Sequence, residues 1–287
     1  MRLGNPGITS EGMEPAHLED RAVIAVTGPE ARGFLQGLIT NDIEKLAPGR
    51  GIYAALLTPQ GKILFDFLIA EGEGAILLDC AVGAAEALLK RLRLYKLRAK
   101  VEIEQRGQLG VYVNLAGHPE NRPTDYAARA VTFPDPRLAA LGMRSIASRS
   151  EMPARLAGAA TYHAHRLALG VPEADDFGSD KMFALDAGLE ELHGVSFEKG
   201  CYVGQELTAR MKHRGTARKR LLLVMAADKL PDPGTAVTAN GVSLGEIVSV
   251  RGARGFALIR LDRLEETKDV APSANGIPVT LTRQDWL

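Results

Sequence analysis

Residues 22 to 28 read AVIAVTG, an apolar run with little alternation that closes on Gly28 and Pro29, the pattern of a short buried strand. A helix is predicted next. Thr27 and Glu30 stand at capping-box spacing, Pro29 suits a first turn, and Ala31, Phe34, Leu35 and Leu38 recur on one face before Thr40, Asn41 and Asp42 end the pattern. GIYAALLTPQGKILFDFLIAEG predicts two strands in a hairpin around Pro59, Gln60 and Gly61, and AILLDC a third strand. From Gly83 to Lys96 the apolar positions Ala85, Leu88, Leu89, Leu92 and Tyr95 follow helical spacing, with Glu86 and Lys90 paired on another face. RAKVEIEQ and GVYVNL return to strand.

Strands, one helix and more strands, without regular βαβ alternation, argue for an α+β fold. The loops AGHPENRPTDY and FPDPR are rich in Pro, Asn and Asp and are expected at the surface. ARLAGAATYHAHRLALG is predicted helical up to Gly170. After Gly215 the texture changes. KRLLLVMAA, TAVTANGVSLGEIVSVRG and GFALIRL are short β-rich runs separated by PDPG, Asn240-Gly241 and RGARG, so a small all-β domain is expected over 216–287, following an N-terminal region over 1–215.

The length of 287 residues suits two or three domains, and 46% apolar with 24% charged residues is the balance of a globular chain. Thirty-five basic and 35 acidic residues cancel, which removes any global field toward nucleic acid or anionic lipid. No run approaches the roughly 18 to 20 apolar residues of a membrane span, and MRLGNPGITSEGMEP lacks a signal core or an Arg-rich targeting pattern. A cytoplasmic protein with a frayed first dozen residues is expected. Its two cysteines, Cys80 and Cys201, are expected as free thiols, too few for a four-thiolate cluster, and no zinc-ligand spacing occurs, so no resident metal is expected.

The stretch VSFEKGCYVGQELTAR carries the candidate chemistry. With a helix over Gln205 to Met211, Cys201 falls at its N-terminal end, where free N–H groups and the dipole favour a thiolate, and Lys199 and Arg210 add positive charge. Gly200 and Gly204 permit close approach. Inert packing is the competing reading, and for Cys80 at the end of an apolar strand it is the preferred one. The basic run Arg210, Lys212, Arg214, Arg218, Lys219 and Arg220 has no interleaved aromatics and reads as a solvated helix end at a domain junction; direct nucleic-acid binding is not expected. Glu173, Asp175 and Asp176 read as a solvated acidic turn, and His163 and His165, two apart, do not share a helix face.

KGCYVGQE closely resembles the signature of the YgfZ-type folate-binding proteins, which include mitochondrial iron-sulfur assembly relatives and are similar in fold to the T-protein (aminomethyltransferase) of glycine cleavage. FLQGLITNDI, LLTPQGKILFDFLI, RLRLYKLRAKV and HGVSFEKGCYVGQELTARMKHRG resemble the family's counterparts in the same order, over roughly residues 20 to 260. The resemblance implies a three-lobed ring whose central opening receives tetrahydrofolate or a derivative, with a ferredoxin-like lobe at about 46–106 and a C-terminal β-barrel. It implies an accessory factor for iron-sulfur cluster assembly or repair, partnered by folate and by iron-sulfur enzymes or assembly proteins, with indirect effects on tRNA modification.

Cys201 would be the functional thiol, and Lys199, Gly200, Tyr202, Gly204, Gln205, Glu206 and Arg210 would belong to its cofactor site. Asp66 resembles the folate-facing aspartate of the T-protein, since a carboxylate accepts hydrogen bonds from pterin N–H groups; a solvent-facing strand position is the alternative. The T-protein's pterin-gripping glutamate aligns with Ala168 in HRLALG. That departure argues against classical turnover, and a folate-dependent one-carbon (aminomethyl or methyl) transferase is the second reading.

Overall fold

The chain was described from a computed structural model covering residues 15–72, 74–115, 130–151, 156–215 and 218–287. The predicted loop AGHPENRPTDY and the first dozen residues lie outside the described residues. In chain order the elements begin with β1 (Ala16–His17), β2 (Arg21–Thr27) and helix α1 (Ala31–Gln36). They continue through β3 (Ile52–Leu57), β4 (Ile63–Gly72), β5 (Ala75–Ala81), α2 (Val82–Lys96), β6 (Glu102–Gln105) and β7 (Leu109–Asn114). Then come β8 (Val131–Pro134), β9 (Met143–Ser148), β10 (Ala157–Gly158), α3 (Ala159–Ala168), α4 (Ala174–Phe177) and α5 (Gln205–Arg214). The last part holds β11 (Lys219–Ala226), β12 (Ala236–Ala239), β13 (Val242–Arg251), β14 (Arg254–Arg260), α6 (Leu261–Glu266), β15 (Ser273–Ala274) and β16 (Ile277–Thr282).

Three β units result. The order β3-β4-β5-β2-β6 makes one sheet, β10-β1-β7-β9-β8 a second, and β11-β14-β13-β12-β15-β16 a closed six-stranded barrel. The expected α+β class and C-terminal β-barrel are therefore observed.

The first sheet explains its unalternating strands. In β2, Ala22, Ile24 and Val26 pack on one face against Ala31 and Leu35 of α1 and Ala85, Leu88 and Leu92 of α2. Val23 and Ala25 point the other way, into a larger core shared with the second sheet, Tyr162 of α3 and Leu221 and Leu223 of β11. A sheet covered on both faces needs apolar residues at odd and even positions alike. The barrel has its own core of Val224, Val237, Ile247, Ala257 and Ile259.

Helix α1 is shorter than its periodicity predicts, and the Thr27–Glu30 capping box does not form. Glu30 instead accepts the Lys100 N–H at 2.9 Å. Beyond Gly37 the chain leaves the helix because tertiary partners compete for its polar groups: the Thr40 hydroxyl donates to Gly194 O at 2.6 Å and accepts the Ala55 N–H at 2.8 Å.

Leu88 is fully buried between α2 and the sheet. Leu88→Ala is expected to lower unfolding stability by about 3 kcal/mol, read as a fall in urea midpoint at constant m-value.

Candidate functional site

On β4 the alternation places Phe67 and Ile69 toward the helices and Leu68 and Ala70 toward the inner core. Asp66 therefore shares the inner face, and that face is closed: its side chain is 2% exposed. The solvent-facing alternative does not hold. The Tyr53 hydroxyl donates to Asp66 Oδ2 at 3.1 Å, while Oδ1 has no hydrogen-bond partner among the described residues. Burial pushes the carboxyl up to about 6, with Arg21 pulling it back down and Glu173 adding to the rise. Asp66 lines a cavity of ≈ 660 Å³ together with Arg21, His163, Arg166, Glu173 and Phe177, a volume within the usual range for a small-molecule site.

Behind that wall lies a set of charges that the sequence reading did not find. Arg21 Nε donates to Asp79 Oδ1 at 2.6 Å and Arg144 Nη1 to Asp79 Oδ2 at 2.6 Å. Arg137 grips Asp135 with Nε at 3.0 Å and Nη2 at 2.7 Å, and reaches Glu173 Oε1 with Nη1 at 3.0 Å. The Tyr162 hydroxyl donates to Glu173 Oε1 at 2.6 Å and accepts from Arg137 and Arg144. Arg166 Nη1 donates to Asp176 Oδ2 at 2.7 Å, and Ser249 of the barrel donates to Asp176 Oδ1 at 2.7 Å. Burial opposes ionisation of Glu173, yet Arg166, Arg137 and Arg21 hold its carboxyl well below the usual carboxylate range.

Two expectations are corrected here. FPDPR is no surface loop at Asp135 and Arg137, which are buried, and the supposed acidic turn is exposed only at Asp175, with Glu173 and Asp176 inside. Turn-rich composition and clustered carboxylates do not reveal partners 36 or 73 residues away.

His163 Nδ1 accepts from Arg166 Nε at 3.0 Å, so its Nε2 carries the proton that faces Asp20 Oδ2 at 2.7 Å. That bond holds the Asp20 carboxyl below its ordinary value.

The cysteine motif occupies a different place. Cys201 is exposed, three residues ahead of Gly204, which caps α5. Lys199 is not free to pair with a thiolate: its ammonium donates to the carbonyls of Gln36 at 2.7 Å, Ile39 at 2.6 Å and Asn41 at 3.0 Å, and burial pushes it down to about 8. Gln205 Oε1 accepts the Tyr202 N–H at 3.2 Å, Tyr202 is buried under the Lys199 ammonium, and Arg210 pairs with Glu206 at 3.4 Å. None of Lys199, Gly200, Cys201, Tyr202, Gly204, Gln205, Glu206 and Arg210 lines the cavity that holds Asp66. The single site expected from the sequence is thus divided into a buried carboxylate cavity and a surface thiol loop.

The other cysteine, Cys80, is buried, donates weakly to Ala22 O at 3.7 Å and is pushed up to about 12 by burial. In the basic run, Lys212 pairs with Glu190, while Arg220 pairs with Glu191 at 2.9 Å and reaches the Leu185 carbonyl, as suits a domain junction.

Two outcomes are expected. Gly204 has φ +83°, and a Cβ there would lie 2.4 Å from the Thr58 carbonyl oxygen, whereas a Cβ on Gly200 would meet nothing within 4 Å. Gly204→Ala is therefore expected to destabilise by about 2 kcal/mol or more and Gly200→Ala by less than about 0.5 kcal/mol, checked by urea unfolding. A carboxyl raised on folding contributes stability below its unfolded pKa and loses it as pH rises through about 6. Relative to wild type, Asp66→Asn should gain about 2 kcal/mol between pH 4 and pH 7.5; a pH-independent difference would contradict the assignment.

Comparison with known proteins follows this architecture. Residues 218–287 match the family described as CAF17, C-terminal beta-barrel domain, and residues 18–122 the GCVT N-terminal domain. The crystal structure of glycine cleavage system aminomethyltransferase T from Bartonella henselae superposes with a TM-score of 0.71 at 16% identity, covering 96% of this chain and 87% of that one, a likeness of fold. The mitochondrial iron-sulfur cluster assembly factor IBA57 of Homo sapiens is 35% identical over 94% of this chain and 84% of its own length. That of Mus musculus is 34% identical with the same coverage, and a mitochondrial homolog from Neurospora crassa is 33% identical over 76% of this chain and 56% of its own length. The cytoplasmic expectation is overturned by these relatives, which are named as mitochondrial proteins. At this identity and coverage, on a T-protein-like fold, the chain belongs to the family of the iron-sulfur cluster assembly factor IBA57.

Proposed function

We propose that this protein is an accessory factor for iron-sulfur cluster assembly or repair, that its cavity receives tetrahydrofolate or a derivative, and that Cys201 is its working thiol. The observation that carries the folate reading is Asp66: a buried carboxylate on the cavity wall, with one oxygen lacking a partner among the described residues and a pKa pushed up to about 6 by burial. A reduced pterin offers ring N–H donors to such an oxygen, and a charge-assisted bond in a site with few competing waters is strong. Phe65 and Phe177 supply apolar wall on which a flat ring can lie.

The family supports the assembly role, and the exposed position of Cys201 supports contact with a partner protein that brings or takes a cluster as cargo. Lys199 would act through its three carbonyl bonds, which anchor the loop presenting the thiol. Effects on tRNA modification would follow indirectly, through an iron-sulfur client. The one-carbon transferase reading is less favoured. Ala168 supplies no carboxylate, and Glu173, the cavity glutamate nearest to it in sequence, is already held by Arg137, Tyr162 and Arg166.

Titration calorimetry with tetrahydrofolate should give saturable binding that Asp66→Asn weakens by about tenfold or more, in line with the loss of one hydrogen bond to a charged group. Equal affinity in the variant would reject Asp66 as the contact. Complementation of a strain lacking its own homologue, scored by the activity of a [4Fe-4S] enzyme, should fail with Cys201→Ala and succeed with Cys80→Ala. Full rescue by Cys201→Ala would remove the thiol from the mechanism.

A further inference from the structure

Tyr53 has two sides. Its hydroxyl reaches Asp66 on the wall of the first cavity, and it also lines a second cavity of ≈ 450 Å³ that Asp66 does not line. Three residues able to carry positive charge stand at this second cavity: Lys45, Arg50 and His193, all exposed. Among the described residues, none of their side chains has a hydrogen-bond or ion-pair partner.

Tight backbone turns fix these groups. Lys45 ends a 3-10 turn, Ile43–Lys45, whose cap Asp42 accepts the Glu44 N–H. Arg50 closes the turn Ala47-Pro48-Gly49-Arg50, with its N–H on Ala47 O at 2.9 Å and Gly49 at φ +72°, the arrangement for which Pro-Gly is suited. His193 holds φ +58°, a costly region for a side-chain-bearing residue. Asn41 stabilises it, donating from Nδ2 both to His193 O at 2.7 Å and to Tyr53 O at 2.8 Å and so tying the two walls together.

Among the described residues, Asp135 is the one acid that lines this cavity, while Asp42 and Glu44 stand on the turn that carries Lys45, outside the lining. Asp135 is held by Arg137, and Asp42 accepts from Gln36 while sharing its charge with Lys45 and Lys199. Within the lining itself the cationic side chains are therefore in excess. The rest of the lining, including Ile52, Pro134 and Pro136, is apolar.

We propose that this second cavity binds an organic anion. Lys45 and Arg50 would take its carboxylates or phosphates, Arg50 with the paired donors of its guanidinium, and its body would lie against the two prolines. The site touches the thiol loop through one residue. Asn41, whose side chain forms its wall, accepts the Lys199 ammonium on its carbonyl oxygen at 3.0 Å.

The test uses the full chain and calorimetry at low ionic strength with two probes, tri-γ-glutamate for a carboxylate source and pyrophosphate for a phosphate source. Saturable binding of at least one is expected, weakening steeply with added salt, and the probe that binds tells which source the site takes. The double variant Lys45→Gln/Arg50→Gln should weaken it by about tenfold or more while shifting the melting temperature little, since both side chains are exposed and make no hydrogen bond or close ion pair among the described residues. Asp66→Asn should bind the anion as wild type does, which separates this site from the folate cavity. Failure of both probes to saturate at millimolar concentration, or equal binding by the double variant, would overturn the proposal.

Discussion

Four arginines sealed from water are the constraint on which the rest of this molecule depends. Arg21, Arg137, Arg144 and Arg166 are each at most 2% exposed, and Asp79, Asp135, Glu173 and Asp176 meet them. Removing one partner would leave its mate charged in a medium of low polarisability, a penalty of about 3–5 kcal/mol. A hydrophobic replacement of the whole set could be as stable, so the network's distinctive effect is on geometry. Its members come from β2, β5, β9, α3, α4 with its cap residue Glu173, and the loop before β9, and Ser249 extends it into the barrel. Few arrangements of three β units satisfy all those bonds at once.

This arrangement also accounts for Asp66. The eight charges of the network cancel, so a ninth ionisable group on the same inner face meets burial that its neighbours do not fully offset, and its carboxyl rises. A carboxylate held in this state, beside a cavity and with one oxygen unsatisfied among the described residues, is costly to stability. The thiol loop obeys a different logic. It lies outside, fixed by backbone carbonyls around Lys199 and by the close approach of Gly204 to Thr58, and so presents Cys201 on a rigid mount. Tyr53 and Asn41 are the links between these regions, the first shared by two cavities and the second by a cavity and the loop.

Local patterning revealed strands β2 to β7 and β11 to β14, the long helix α2, the barrel region and the buried character of Cys80, because each is set by nearest-neighbour periodicity and turn chemistry, but it missed β8, β9 and the short strands β1, β10, β15 and β16. It also revealed which face of β4 carries Asp66. What it could not reveal is whether that face is covered, since cover is supplied by chain far away in sequence.

The sequence by itself therefore determined most of the larger elements, the fold class and the family-like cysteine motif. Only the tertiary structure decided that Glu173, Asp135 and Arg137 lie inside, that Lys199 is committed to carbonyls, and that Asp66 and Cys201 belong to separate places. The physical reason is that charge pairing and burial are long-range properties of the packed chain: a carboxylate or an ammonium looks the same in sequence whether its partner is water or a guanidinium brought from 65 residues away, as Arg144 is to Asp79.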